Sequence, residues 1–462
     1  MKKTVAIIGA GPSGLTATRQ AILYGFEPTV FERNANLGGL WHYSDNPNER
    51  SVMYSTVMNY SKELSAFSEF PPPVNFANFM NRAEVLEYLN LYVEHFDLLP
   101  YIRFQNDVIG VSRTDGWKET GRWRVDVIDI ESNKKSTMEF DAILICTGRN
   151  SKPHRPFEWR WEKKFKGRII HAQNFKSSYG YHNKIVLIVG FGNSAVDCAS
   201  ALAGVAKQVY LSTRRGSWLL PQQSKNGGAP WDLSYNTRFS YLGRKVIPKY
   251  LRNWLWEMEL NERFDHSAAG VQPKHRFLSA NFTFSNDLPK HLTNGRVKIK
   301  PNILSFTDTG VEFTDQTIVE QVDEVILCTG YKFEFPFLEE GKLIFIREND
   351  FHLYKHMFLP DLSEHNNLAL IGFVQPRGPI FPVVEMQSRF FFHTLSGLYK
   401  LPSPFEMKRV LEEKRCDISL NYLKTHRHTQ IEDYIEYMDD LASAIEIQPR
   451  LQNLAFSNPK LA

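Results

Sequence analysis

Six small residues stand at the spacing that lets a backbone wrap a pyrophosphate: Gly9, Gly11 and Gly14 near the start of the chain, and Gly190, Gly192 and Ala195 farther on. In each triplet the first glycine permits a sharp turn and the second lets a phosphate approach the main chain. The third lets the following helix lie close to the preceding strand. Pro12 and Ser13, and likewise Asn193 and Ser194, open the helices whose first N–H groups would face the anion. Two such sites in one chain imply two dinucleotides side by side, and hence electron transfer between them.

The residues ending the next strand in each unit say which dinucleotide each site suits. Pro28 to Phe31 runs into Glu32, whose carboxylate would accept a ribose 2′-hydroxyl and repel a 2′-phosphate, so the first site suits FAD or NAD. Gln208 to Thr213 runs into Arg214 and Arg215, and a guanidinium there grips a 2′-phosphate with paired, charge-assisted hydrogen bonds. The second site therefore favours NADPH over NADH. Arg214 carries that expectation, and Arg215 reads equally as a solvated cation at a strand end.

These residues need strands and helices to hold them. Thr4 to Ile8 and Ile185 to Val189 are short, apolar and β-branched, which reads as buried parallel strand, and the first helix should stop at Gly25. Phe140 to Cys146 and Glu324 to Cys328 read as a matched pair of strands, leading into Thr147-Gly148 and Thr329-Gly330-Tyr331. The second dinucleotide unit then looks inserted into the first. The expected fold is α/β, two nested doubly wound, Rossmann-like domains. The FAD-binding domain is discontinuous, 1–157 and 331–462, around an NADPH-binding domain, 158–330, with an inserted helical and loop segment at about 216–290.

Composition narrows the function classes. A formal net charge of +4 over 462 residues, with no basic tract, argues against nucleic acid as a partner. Cys146, Cys198, Cys328 and Cys416 are widely separated, so neither a disulfide framework nor a zinc site is expected, and a reducing compartment is. His426-Arg427-His428 reads as a solvated turn, so no metal is expected. The chain begins directly at its first strand and has no apolar run of membrane-spanning length, so no secretory signal is expected, and the expected setting is cytoplasmic.

Phe165, Gly167, His171 and Phe175 share the spacing F-x-G-x-x-x-H-x-x-x-F. In this the chain resembles the flavin-containing monooxygenases. The related Baeyer–Villiger monooxygenases have Trp at the last place, so Phe175-Lys176 points away from ketone oxygenation. His171 reads as a structural tie between domains rather than a proton carrier. Further stretches are similar to the same family: Gly38-Gly39-Leu40-Trp41 to its FAD segment, and Met58-Asn59-Tyr60-Ser61-Lys62-Glu63 to the segment carrying an active-site asparagine. Pro230-Trp231-Asp232 with Thr237-Arg238-Phe239 resembles an insertion of the animal-type enzymes. Ile371 to Gln375 and Met386 to Arg389 resemble stretches lining the flavin and the domain interface, and Asp433 to Asp439 a late helix. Asp287 is a candidate for a family carboxylate near the pocket. Animal-type members run on past the stretch that Asn458-Pro459-Lys460-Leu461-Ala462 resembles, into an apolar anchor.

What the resemblance implies is specific. NADPH reduces FAD, reduced flavin adds O₂, and the resulting C4a-hydroperoxyflavin oxygenates a soft nucleophilic N or S atom of a small amine or sulfide. The protein needs no nucleophile of its own for this; it must exclude water and hold the oxygen-bearing ring. Asn59 and Asn193 are the expected catalytic side chains, since an amide donates and accepts hydrogen bonds without changing charge. Thr147 and Gln375 join Gly39, Leu40, Trp41 and the fingerprint residues as expected cofactor contacts. An NADPH oxidase releasing hydrogen peroxide, and a dinucleotide sensor without turnover, are the alternatives. A homodimer is compatible with the family. Tyr241 to Leu260 mixes cations with Trp254, Trp256 and aliphatics, a pattern that suits either a peripheral membrane contact, on the cytoplasmic face of the endoplasmic reticulum, or a helix covering the protein's own core.

Overall fold

The two apolar runs preceding the glycine triplets are strands, Thr4–Ile8 and Ile185–Val189, each in the middle of a five-stranded parallel sheet. The computed structural model describes residues 2–225, 228–423 and 429–449. In the first sheet the order is Leu368–Leu370, Ala142–Ile145, Thr4–Ile8, Glu27–Phe31, Ile102–Arg103. In the second it is Val297–Lys300, Gln208–Ser212, Ile185–Val189, Glu324–Leu327, Arg168–His171. The chain leaves the first sheet after Ile145, builds the second, and returns to the first at Leu368. The fold is α/β, with one Rossmann-like sheet nested in the sequence of the other.

Register explains where the glycine turns fall. Ile8 pairs with Phe31 on one side and Ile145 on the other, so all three strands end level with the first turn. Val189 pairs with Ser212 and Leu327 in the same way. The expected strand from Phe140 to Cys146 is broken. Lys134–Phe140 closes an antiparallel meander with Asn106–Arg113 and Trp123–Asp129, and only Ala142–Ile145 enters the parallel sheet. The break is at Asp141, whose Oδ2 accepts the Thr4 backbone N–H at 2.7 Å and its hydroxyl at 3.0 Å, fastening the turn to the start of the first strand.

Apolar side chains on one face of the first sheet meet the helices Pro12–Leu23 and Ile380–Leu395, with Phe381, Phe390 and Phe391 fully buried; the other face packs on the meander around Trp123. The segment inserted in the second unit has its own aromatic core, built by Trp218, Trp231, Tyr235, Phe277, Phe282 and Phe284.

Tyr241 to Leu260 is two helices rather than one, Arg238–Val246 and Lys249–Arg263. The helix cannot run through Ile247, because the ring of Pro248 disfavours helical backbone in the residue before it. These helices cover little of the core with their outward face, where Phe239 is 86% exposed, Val246 82%, Tyr250 72% and Trp254 53%. Among the described residues no helix is long and apolar enough to cross a membrane. His426 to His428 and Asn458 to Ala462 lie outside the described residues.

Candidate active site between two dinucleotide folds

The glycine turns repeat each other closely. Gly9 has φ +106°, and a Cβ there would lie 2.7 Å from the carbonyl oxygen of Cys146; Gly190 has φ +119°, and its Cβ would lie 2.5 Å from that of Cys328. Only glycine satisfies both the left-handed backbone and the close approach. Helix Pro12–Leu23 then starts from Gly11 and helix Asn193–Leu202 from Gly192, and neither N-terminus is capped by a side chain or carries an acid in its first turn. Both leave N–H groups available to an anion.

In the first unit a Cβ on Gly11 would meet nothing nearer than Gly39 Cα at 3.6 Å, so the space in front of the turn is kept open by the absence of a side chain. Gly38 N donates to Ala10 O at 2.9 Å, drawing the short 3₁₀ turn Gly39–Trp41 over the fingerprint, and Leu40 O in turn accepts the Val52 N–H at 2.9 Å. Glu32 is buried at the end of its strand. One carboxylate oxygen accepts the Ala10 N–H at 2.8 Å and the other the Asn34 N–H at 2.9 Å, which holds the acid at the lip of the turn. Ser13 lies against Gly372, where a Cβ would come within 2.7 Å of its hydroxyl oxygen. Thr147 follows the neighbouring strand end, and Gln375 donates its backbone N–H to Gln430 O at 2.7 Å.

In the second unit Arg214 and Arg215 are both exposed just past the strand Gln208–Ser212, on the rim of the second turn. Asn193 stands in the first turn of its helix, where its Oδ1 accepts the backbone N–H of Phe284 at 3.0 Å. Asp197, farther along the same helix, has its carboxyl pushed up to about 7 by burial. Beneath this turn the buried thiols of Cys198 and Cys328 hydrogen-bond to each other, and that bond together with burial pushes the Cys198 thiol well up. Sequence separation concealed this pairing; all four cysteines are thiols outside any disulfide.

The motif from Phe165 to Phe175 clasps the two units. His171 sits at the crossover, with Nε2 3.0 Å from Gly330 O and Nδ1 accepting the Gln173 N–H at 3.1 Å, an arrangement that fixes a neutral ring with its proton on Nε2. Burial lowers the pKa of that ring, and its two nitrogens are held by Gly330 O and the Gln173 N–H. Lys176, also buried, donates to Glu49 O at 2.6 Å and Ser51 Oγ at 2.9 Å, while Asn174 Nδ2 donates to Pro47 O at 2.6 Å. The loop held this way carries Arg50 between the two anchors of Lys176. Burial and the neighbouring Arg33 lower the Arg50 pKa, against the pull of Glu32, Asp107 and Tyr331.

Asn59 lies where the inserted segment meets the first unit, and its neighbours are tied across that junction. Gln222 Nε2 donates to Met58 O at 2.8 Å, Tyr60 packs its ring edgewise on Phe284 with centroids 5.4 Å apart, and Ser61 N donates to Asp232 Oδ2 at 2.7 Å. Since Phe284 is also the residue held by Asn193, the two expected catalytic asparagines are bridged by one aromatic pair. Arg149 stands close by, with Nη1 donating to Val374 O at 3.0 Å; burial lowers its pKa and the Tyr60 hydroxyl opposes the shift. Burial pushes the Tyr60 hydroxyl up, with Tyr235 and Asp232 adding to it. Asp287 is exposed at the start of helix Leu288–Thr293, and it is the adjacent Asn286, also exposed, that meets Gln222, its Nδ2 donating to Gln222 Oε1 at 3.0 Å.

A family model described as flavin-binding monooxygenase-like matches residues 2–462. The chain belongs to this flavin-binding monooxygenase family. It is 40% identical over 464 residues to flavin-containing monooxygenase 5 of Homo sapiens, covering 100% of this chain and 86% of that protein. It is 40% identical over 468 residues to the N-oxide-forming dimethylaniline monooxygenase 2 of Rattus norvegicus, with the same coverage. Among solved structures, S-allyl-L-cysteine S-oxygenase from Allium sativum matches with a TM-score of 0.72 at 23% identity, covering 100% of this chain and 94% of that one. An open cyclohexanone monooxygenase matches with a TM-score of 0.68 at 14% identity, covering 96% and 98%, and these two likenesses speak for the fold.

The enzymes of the family are monooxygenases that use FAD and NADPH, with small-molecule substrates and O₂ as partners. The donor set in this chain suits both cofactors: two uncapped helix N-termini behind glycine turns, an acid beside the first and exposed arginines beside the second. Arg149, Lys176, Gln222 and Asp232 were assigned no role from the sequence. A hint lay in Gly148-Arg149, directly after the strand-end Cys-Thr, and in Asp232 within the insertion motif.

Proposed function

We propose that this chain oxygenates soft nucleophilic nitrogen or sulfur atoms of small molecules, consuming NADPH and O₂, with FAD held by 1–157 and 331–462 and NADPH by 158–330. The observation that carries the reading is the meeting of the Asn59 segment with the Asn193 helix through Tyr60 and Phe284, between two turns that each fit a dinucleotide. Bound flavin, reduced by NADPH, supplies activated oxygen; the rest falls to the chain. Gly9, Gly11, Pro12, Ser13, Gly14, Glu32, Gly39, Leu40, Trp41, Thr147 and Gln375 are assigned to FAD. Gly190, Gly192, Asn193, Ser194 and Arg214 are assigned to NADPH. Asn59 is assigned the hydrogen bonds that hold the reacting oxygen, because its amide makes none to the described residues while the residues around it are tied down. The aromatic cluster of Trp231, Phe282 and Phe284 would exclude water from that side of a bound flavin.

The exposed apolar face of helices Arg238–Val246 and Lys249–Arg263 supports a peripheral membrane contact for this lobe, and four cysteines kept as thiols support a cytoplasmic setting. The deciding experiment is turnover of the FAD-loaded protein with NADPH, O₂ and trimethylamine, following oxygen, peroxide and amine oxide together. Amine oxide matching NADPH consumed sustains the reading. Peroxide alone would make the protein an oxidase, and no NADPH consumption would make it a sensor.

A further inference from the structure

Three consecutive tethers frame Asn59. Met58 is held through its carbonyl by Gln222, Tyr60 through its ring by Phe284, and Ser61 through its N–H by Asp232. All three partners come from the segment inserted in the second unit, and the residue between the tethers is the one whose amide no described residue engages. Asp232 differs from the other two partners in being fully buried, at 0% exposure. Its Oδ2 accepts the Ser61 N–H at 2.7 Å, while its Oδ1, also buried, has no hydrogen-bond partner among the described residues.

A half-satisfied buried carboxyl is a poor way to stabilise a fold, since desolvation offsets what the remaining hydrogen bond returns. Burial accordingly raises the Asp232 pKa, against the opposing pull of Ser61 and of the backbone N–H groups of Asp232 and Leu233. Gln222 cannot do the same job as rigidly, because it is half-buried and shares its amide with the exposed Asn286. A ring contact such as Tyr60 on Phe284 tolerates sliding that a short hydrogen bond does not.

We infer that Asp232 is a positioning residue, through which the inserted segment fixes the turn that presents the Asn59 amide to the flavin. This rests on the monooxygenase reading above. Gln222 and Phe284 limit where the turn can lie, and Asp232 sets its register. Loss of that bond would let Asn59 drift from its place, so NADPH would still be oxidised while its two electrons leave with O₂ as hydrogen peroxide instead of supporting oxygen transfer to the substrate.

The test uses the full, FAD-loaded chain with NADPH and trimethylamine, and reads two quantities: peroxide released per NADPH, and hydrogen exchange at the Ser61 amide. Asp232→Ala is expected to raise the peroxide share about fivefold or more, the loss of roughly one hydrogen bond, with the NADPH KM little changed. Ser61 exchange should quicken by about tenfold or more in the same variant. Asp232→Asn keeps a carbonyl oxygen for the Ser61 N–H and should recover most of the coupling and protection. Should the alanine variant not fold, Asp232→Ser, polar but too short to reach, takes its place. Unchanged coupling in a folded short variant, or asparagine and alanine behaving alike, overturns the inference. If the unaltered protein makes no amine oxide, the functional reading fails, yet Ser61 exchange still reports whether the tether exists.

Discussion

The Oδ1 atom of Asn193 accepts the backbone N–H of Phe284 at 3.0 Å, so an amide expected to face the nicotinamide also anchors the strand Thr283–Phe284 of the inserted segment. Asn193→Ala leaves that N–H unpaired, at a cost of about 1–2 kcal/mol. Thermal unfolding of the FAD-loaded protein should show a melting temperature lower by a few degrees. Asn193→Asp retains an acceptor and should lose less.

The first fingerprint offers a contrast between two glycines. A side chain at Gly11 would enter open space, its Cβ 3.6 Å from Gly39 Cα, whereas a Cβ at Gly14 would fall 1.8 Å from the carbonyl oxygen of Gly9. Gly11→Val should therefore yield a folded, colourless protein, because its side chain would occupy the place assigned to the pyrophosphate. Gly14→Ala should fail earlier, in expression or in resistance to unfolding, because helix and strand can no longer pack. Flavin absorbance alongside circular dichroism separates the two outcomes.

Much of this arrangement was legible in the sequence because it is local. The strands before each glycine triplet, Glu32, the arginines after Ser212 and the small residues at each turn follow from period and spacing alone. What escaped was set by partners distant along the chain. Asp141 breaks a strand because Thr4 lies beside it, and Pro248 splits a helix that composition alone reads as continuous. Cys198 and Cys328 share no sequence signature yet touch, since one is on a helix and the other at the end of the strand beneath it. Asp287 attracted notice as a carboxylate near the pocket, but the helix it begins turns it to solvent and leaves Asn286 to reach Gln222.

Arg214 is exposed, and no described side chain competes for its guanidinium. Removing it should cost NADPH binding about 1–2 kcal/mol, a value reduced for solvent screening, and should leave NADH nearly unaffected. Measured as flavin reduction under anaerobic conditions, Arg214→Ala should raise the NADPH requirement about tenfold. An equal loss for both nucleotides would remove the 2′-phosphate from Arg214.

His266 gives the inserted segment a pH-dependent anchor. Its Nε2 accepts the Leu219 N–H at 3.1 Å, so the ring is neutral and its proton is on Nδ1, 2.9 Å from Asn261 Oδ1. Burial lowers its pKa from 6.5 to about 4, with Phe264 O and Asp265 opposing. Between those values the unfolded chain binds the proton that the folded one excludes, so folding stability is intact above pH 6.5 and falls as pH drops toward 4. The loss across the whole window is on the order of 2–3 kcal/mol. Protonation would remove the acceptor for Leu219 and release the strand Leu219–Leu220, which pairs with Thr283–Phe284 and leads into Gln222. His266→Gln supplies an acceptor and a donor without titrating, so its melting temperature should fall less steeply than that of the unaltered protein as pH is lowered through this window. Identical slopes for the two proteins would place the acid sensitivity of this lobe elsewhere.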